Sequence, residues 1–442
     1  VTGSITPTSD SDIRFEIWLP EASWNGRFLQ TGNGGAAGSI VLTSLADPLA
    51  RGYAVANTDT GHQGGGGSFS WAVGHPEKLV DFQYRAVHEL TRVGKAITEA
   101  RYGQPPARSY WQGCSTGGRQ GLKEAQMFPG DYDAIVAGAP ASNWTPLMSL
   151  SVHIQRNAGP GGLGVDKLGL LKDSAIAACD ARDGVTDRVI AEPDRCDFDP
   201  AQLQCTGAPG PQCLSATEVA AARRIYAGLV DEAGAVVMPG TGFGSEPLWA
   251  AYALPQLGFT IGTNYYRDVV LQDADWDPAT FDVNADLAAA EAVDGGAIDA
   301  MDPDLSDFVA RGGKIITYHG TTDGLIPYGN SVNYFERVVE TLGADVVDES
   351  LRLYLVPGMD HCAGGEGAFA IDWLGALEAW EASGEAPGAL HAAHPPVPQG
   401  APGAQPAPST PFTRVVCPYP QVARYTGSGA QTDAESFVCA AP

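Results

Sequence analysis

Two short apolar runs near the start of the chain, Arg27 to Thr31 and Tyr53 to Asn57, each end in a glycine loop, "GNGGAAG" and "GHQGGGG". That is the pattern of buried strands feeding turns. From Leu79, the residues Leu79, Phe82, Ala86, Leu90, Val93 and Ile97 recur at three- and four-residue steps, which predicts an amphipathic helix. It should end near Gly103, with Pro105 and Pro106 beyond it. "ARSYWQG" predicts a strand, "GRQGLKEAQM" a helix and "YDAIVAGAP" a second buried strand. Strands separated by helices predict a mostly parallel sheet with helices on both faces.

The rhythm breaks after Pro140 and returns at "GGKIITYHG" and "LRLYLVPG", strands over Lys314 to His319 and Leu351 to Val356. The expected organisation is therefore a core in two parts, residues 1–142 and 311–442, split by an inserted lid over 143–310. Residues 386–411, rich in Pro, Ala and Gly without a period, predict a flexible surface loop.

Composition narrows the classes. The chain has 442 residues and a net charge of −26, a surface that repels phosphate backbones and anionic membranes. No apolar run is long enough to span a bilayer, so neither nucleic acid nor membrane is an expected partner. The chain opens on Val1 rather than Met, which suggests a trimmed or processed form. The cysteines number eight and include no CxxC pair, which favours disulfides and an exported, secreted or periplasmic protein over a zinc ribbon.

The chemistry centres on Gly113-Cys114-Ser115-Thr116-Gly117, between a predicted strand and a predicted helix. A tight strand-to-helix turn projects a serine hydroxyl above a sheet, and small flanking residues let the turn close. Two later strands each lead to a partner: Asp323 in "HGTTDGLIP" and His361 in "PGMDHC". Serine, acid, histidine is the chain order of such a triad. Asp360 is a rival acid and His319 a rival base; His62 is a candidate for the pocket wall. His75, His88, His153, His391 and His394 read as surface or packing residues. Oxyanion donors are expected from the backbone N–H of Thr116 and from Gly34 or Gly35. If Ser115 meets His361, then Cys114 and Cys362 lie side by side, within reach of a disulfide that would staple the two loops.

"CDARDGVTDRVI" gathers Asp180, Asp183 and Asp187 round Gly184, with the carbonyls of Val185 and Val189 nearby. The spacing is not that of an EF-hand, and a solvated acidic turn fits the segment as well as a calcium site does.

Together, "GCSTGGRQG", "NTDTGH", "CDARDGVTD", "HGTTDGLIP", "PGMDHC" and the ending "CPYPQVARYTGSG…FVC" resemble the tannase and feruloyl esterase family over nearly the whole chain. That family includes fungal feruloyl esterases and a bacterial mono(2-hydroxyethyl) terephthalate hydrolase. The resemblance implies an α/β-hydrolase core with a large inserted lid, a Cys114–Cys362 bridge beside the triad, and a structural Ca2+ held by Asp180, Asp183, Val185, Asp187 and Val189, with no organic cofactor. It also implies the pairs Cys179–Cys196, Cys205–Cys213 and Cys417–Cys439. The expected activity is a serine esterase cleaving small esters of aromatic acids, ferulate first, with gallate or terephthalate monoesters as alternatives. A calcium-stabilised binding protein without turnover is the alternative of a different class. Phe243, Trp249, Tyr265, Tyr266 and Arg267 are lid candidates for the pocket, Arg267 as partner of a substrate carboxylate, and Ile326 is a candidate contact for the acyl group.

Overall fold

The structure is a computed structural model that describes residues 1–396 and 411–442. The central sheet is built from β1 (Thr2–Ile5), β2 (Ile13–Trp18), β3 (Arg27–Thr31), β4 (Ala54–Thr58), β5 (Arg108–Cys114) and β6 (Ala134–Gly138). A small ribbon, β7 (Leu229–Val230) and β8 (Val236–Met238), precedes the last two sheet strands, β9 (Lys314–Gly320) and β10 (Leu351–Val356). The strand order is β1-β2-β4-β3-β5-β6-β9-β10. β1, β2 and β4 pair antiparallel, whereas β3 is parallel to β4 and β5, and β5 to β6. Every residue of β4 and β6 is buried, as expected of strands covered on both faces. This mostly parallel sheet with its covering helices is an α/β-hydrolase fold.

The predicted helix starts earlier than its apolar stripe, at Pro76. It passes through a π-turn over Asp81–Arg85 and continues as Ala86–Tyr102 to a left-handed Gly103. Gly94 has a structural reason in it: a Cβ there would stand 2.7 Å from the Phe28 ring, so the helix seats directly on β3.

The chain forms two compact units. The first comprises Val1–Ser149, Gly258–Thr317 and Tyr334–Leu351; the second comprises Leu150–Leu257, Tyr318–Asn333 and Arg352–Pro442. These limits differ from the 143–310 insertion expected from sequence. Residues from Gly258 on belong with the first unit because buried anchors tie them there. Tyr265 packs against Phe69 and Trp144, the Arg119 guanidinium donates to the Ile298 carbonyl, and Gln83 donates to Asp294.

The second unit carries three disulfides: Cys179–Cys196, Cys205–Cys213 and Cys417–Cys439, with Cα separations of 5.5, 5.0 and 5.6 Å. Its C-terminal part departs from the expected loop over 386–411. Leu390–His394 is a strand, β11, antiparallel to β12 (Phe412–Val416), with the His394 and Phe412 rings stacked across the pair. Only the apolar partner strand makes Leu-His-Ala-Ala-His a strand; alone it has no β signature. Residues 397–410 of that expected loop lie outside the described residues. β13 (Val422–Tyr425) and β14 (Phe437–Ala440) close the chain as a ribbon.

Candidate active site

In the first unit β5 runs into Ser115 and the helix Thr116–Met127 leaves it. Ser115 has φ 64° and ψ −123°, a conformation rare for a residue with a Cβ. Its amide donates to the Gly138 carbonyl at 2.9 Å and its carbonyl accepts from Ala141 at 3.1 Å, so β6 and its exit loop hold the turn from both sides. Glycine is required around it. A Cβ on Gly113 would lie 2.7 Å from the Gly117 backbone, and one on Gly118 would lie 2.4 Å from the Gly138 oxygen.

The glycine loop after β3 is tied to this elbow. Gly117 donates its amide to the Asn33 carbonyl at 2.8 Å, the Thr116 hydroxyl donates to the Gly35 carbonyl at 2.6 Å, and the Asn33 amide donates to Gln120 Oε1 at 3.0 Å. Gly35 has φ 54° and lies so close to Gly66 that a Cβ would meet its carbonyl oxygen at 2.2 Å. Among the described residues the amide N–H groups of Thr116, Gly34 and Gly35 have no acceptor, so they are available to an anionic oxygen. His62 is packed against the glycine loop: it is 4% exposed, stacks on Trp71 at 3.5 Å, and its Nε2 meets the Ala36 carbonyl at 2.7 Å. Burial lowers its pKa to about 4, so it is a neutral buttress of the glycine loop. Asn33 and Gln120 are positioning residues that sequence reasoning missed; the visible signal was a glutamine on the inward side of a glycine-rich helix.

The second unit holds the acid and the base. Asp323 is fully buried, and its Oδ1 accepts the amides of Leu325 and Ile326, both at 2.9 Å. Its Oδ2 lies 2.6 Å from His361 Nδ1. Burial pushes the Asp323 carboxyl up, but the His361 charge and the hydrogen bonds from both His319 and His361 outweigh it and hold the group well below its usual range. Burial opposes the His361 cation, and Asp323 more than offsets that, raising its pKa. The two rivals are occupied elsewhere. Asp360 accepts from the Thr322 hydroxyl at 2.9 Å, and burial raises its pKa to about 6. His319, fully buried, contacts Ser331 Oγ at 2.8 Å through Nδ1; its Nε2 lies 2.9 Å from the Ile326 carbonyl and 3.3 Å from Asp323. Ile326 is buried and serves the acid loop through its backbone.

Cys114 and Cys362 are each in a disulfide, and no cysteine is free. Cys362, next to His361, has φ 67°. Among the lid candidates Trp249, Tyr265 and Tyr266 are buried core residues. The Arg267 guanidinium forms a two-point pair with its neighbour Asp268, both contacts at 2.7 Å, and so is already neutralised.

In the acidic loop Asp180 Oδ1 accepts the amides of Asp187 and Arg188, Asp183 accepts from Val185, and Asp187 accepts from Val189. Burial and mutual charge raise the carboxyls of Asp183 and Asp187, partly offset for Asp187 by Arg414, which pairs with it. Carboxylates that repel one another beside carbonyls are a donor set that fits a hard cation; in this arrangement Arg414 supplies the positive charge at Asp187.

The first unit thus supplies a strained serine at a strand-to-helix elbow with unspent backbone donors, and the second a carboxylate-oriented histidine, the parts used by hydrolases of the α/β-hydrolase class. The sequence profile described as "Tannase and feruloyl esterase" matches residues 1–440. A probable feruloyl esterase B-2 of Aspergillus terreus is 36% identical over 460 residues, covering 99% of this chain and 85% of that protein. An uncharacterized esterase of Xanthomonas campestris is 35% identical, covering 99% and 84%. The crystal structure of feruloyl esterase B from Aspergillus oryzae superposes with a TM-score of 0.90 at 32% identity, covering 99% of this chain and 89% of that one. Tannin acyl hydrolase from Aspergillus niger gives 0.81 at 27% identity, covering 100% and 85%. The chain belongs to the tannase and feruloyl esterase family. The binding-protein alternative is thereby set aside. Among the described residues no helix is long and apolar enough to cross a membrane.

Proposed function

We propose that this chain is an exported feruloyl esterase working through an acyl-enzyme on Ser115. The observation that carries the mechanism is the 2.6 Å bond from His361 Nδ1 to the buried Asp323 carboxylate. With the imidazole proton on Nδ1, donated to that carboxylate, Nε2 is the nitrogen that accepts the Ser115 proton. The Ser115 oxygen then attacks the ester carbonyl, and the carbonyl oxygen, now anionic, is held by the Thr116 amide with that of Gly34 or Gly35. His361 returns the proton to the leaving alcohol, and water, activated the same way, releases the aromatic acid and restores Ser115. A Cys114–Cys362 bridge would fix the nucleophile beside the base. Export is supported by the absence of any free cysteine.

The names of the relatives favour a feruloyl acyl group, and a galloyl ester is the second reading on the tannin acyl hydrolase similarity. A terephthalate monoester has less support, because Arg267 is paired with Asp268. A structural Ca2+ in the acidic loop would be held by the carboxylates of Asp180, Asp183 and Asp187 and the carbonyls of Val185 and Val189, taking over at Asp187 the neutralising role of Arg414. Hydrolysis of methyl ferulate, methyl gallate and mono(2-hydroxyethyl) terephthalate, with Ser115→Ala as control, tests the reading. Preferential cleavage of the ferulate ester, lost in the variant, is expected; undiminished turnover by Ser115→Ala would overturn the nucleophile.

A further inference from the structure

The helix Thr116–Met127 carries a buried carboxyl group near its C-terminal end that the esterase reaction does not use. Glu124 is 1% exposed, and neither of its carboxylate oxygens meets a hydrogen-bond donor among the described residues. It faces a second carboxylate, Asp131, whose side chain is 16% exposed and lies 2.6 Å from His88 Nδ1. Ligand atoms of His88, Glu124 and Asp131 all lie within 4.8 Å of one another. They come from three elements of the first unit: the helix Ala86–Tyr102, the helix Thr116–Met127 and the turn that follows it. The His88 ring is held by stacking on Phe128, with centroids 3.8 Å apart and planes 13° apart. The Lys95 ammonium, the nearby cation, donates to the Asp131 backbone carbonyl.

We propose that His88, Glu124 and Asp131 bind one divalent transition-metal cation of the zinc class, with water completing its coordination. One imidazole nitrogen and two carboxylate oxygens are ligands such an ion takes, whereas calcium and magnesium favour oxygen alone. Its two positive charges match the two carboxylates, which supplies Glu124 with the partner it lacks. Glu124 is eight residues beyond Thr116, about 12 Å along the helix at about 1.5 Å per residue. The ion would therefore tie two helices and a turn together and take no part in the chemistry at Ser115.

The competing occupant is a proton shared between Glu124 and Asp131. The test uses the full chain, stripped of metal and then saturated with Ca2+ so that the acidic loop does not compete. Titration with Zn2+, read by calorimetry and by metal content after dialysis, is expected to give one zinc per chain. Glu124→Gln keeps the shape and can still donate a hydrogen bond to Asp131. It should weaken zinc binding by more than the roughly 10–100-fold that losing an outer partner of a metal ligand costs. His75→Ala at the exposed His75–Asp10 pair should leave binding unchanged. Co2+ bound to the unmodified chain should show the intensified visible bands of a low-coordinate N/O site, a reading that does not depend on any variant folding. No stoichiometric zinc, zinc that survives Glu124→Gln, zinc lost with His75→Ala, or cobalt that shows only its aqueous spectrum would each overturn the proposal.

Discussion

Replacing Asp323 by Asn tests the proton logic with little change of shape. The Leu325 and Ile326 amides both donate to Oδ1, so they will hold the Asn carbonyl oxygen there and leave its NH2 in the place of Oδ2. That NH2 then faces His361 Nδ1 at the former 2.6 Å contact and can only donate. The imidazole must put its proton on Nε2, the nitrogen needed to take the Ser115 proton. Such an inversion costs about 10^4-fold in kcat in a serine triad, or about 5.5 kcal/mol at about 1.36 kcal/mol per decade. Asp323 is fully buried and cannot touch substrate, so KM should stay within about threefold. Steady-state hydrolysis of methyl ferulate, with circular dichroism to confirm the fold, measures both numbers. A kcat within tenfold of the unmodified chain, or a loss carried mainly by KM, would refute the assignment of Asp323 as the residue that orients His361.

Four further outcomes are expected. His361 has a raised pKa and must be neutral to act as base, so kcat/KM should rise with pH through a value above 6.5; an acid limb centred well below 6.5 would contradict the Asp323–His361 coupling. The same pair contributes stability above the ordinary Asp value of 3.8, lost as pH falls through the depressed Asp323 pKa; its His361 part is full below 6.5 and lost as pH rises through the raised value, so Asp323→Asn should flatten both limbs of a melting-temperature profile. Chelation should lower the melting temperature if the acidic loop holds calcium, by about 2.7 kcal/mol of stability for an ion present at 100 times its Kd, and Asp183→Asn should remove the effect; an unchanged melt would favour the Arg414-neutralised loop seen in the structure. Cys114→Ala with Cys362→Ala should cut turnover while the protein still folds, and full activity in the double variant would remove the supporting role of that bridge.

Much of the site is written locally. Ser115 needs small neighbours because its turn is tight, and Gly113, Gly117 and Gly118 announce that in the sequence. Asp323 and His361 follow strands whose apolar runs are plain, so chain order and periodicity were enough to place them at strand ends. Which carboxylate serves the histidine was not local information. Asp360 adjoins His361, yet its oxygen is taken by Thr322, while Asp323 reaches the ring across 38 residues because β9 and β10, the strands that lead to them, are neighbours in the sheet.

The sequence by itself determined the alternation of strands and helices, the elbow, the triad candidates and the family, since these rest on short-range sterics, periodicity and motif. Tertiary structure decided what depends on partners distant along the chain. Residues from Gly258 on joined the first unit because Tyr265, Ile298 and Asp294 find buried partners there. Leu390–His394 became a strand because Phe412–Val416 pairs with it, and His62 became a buttress because the Ala36 carbonyl meets it. Nothing in the sequence sets Glu124 apart. Only packing shows it sealed from water without a donor, because burial belongs to the neighbours a residue acquires and not to the residue itself.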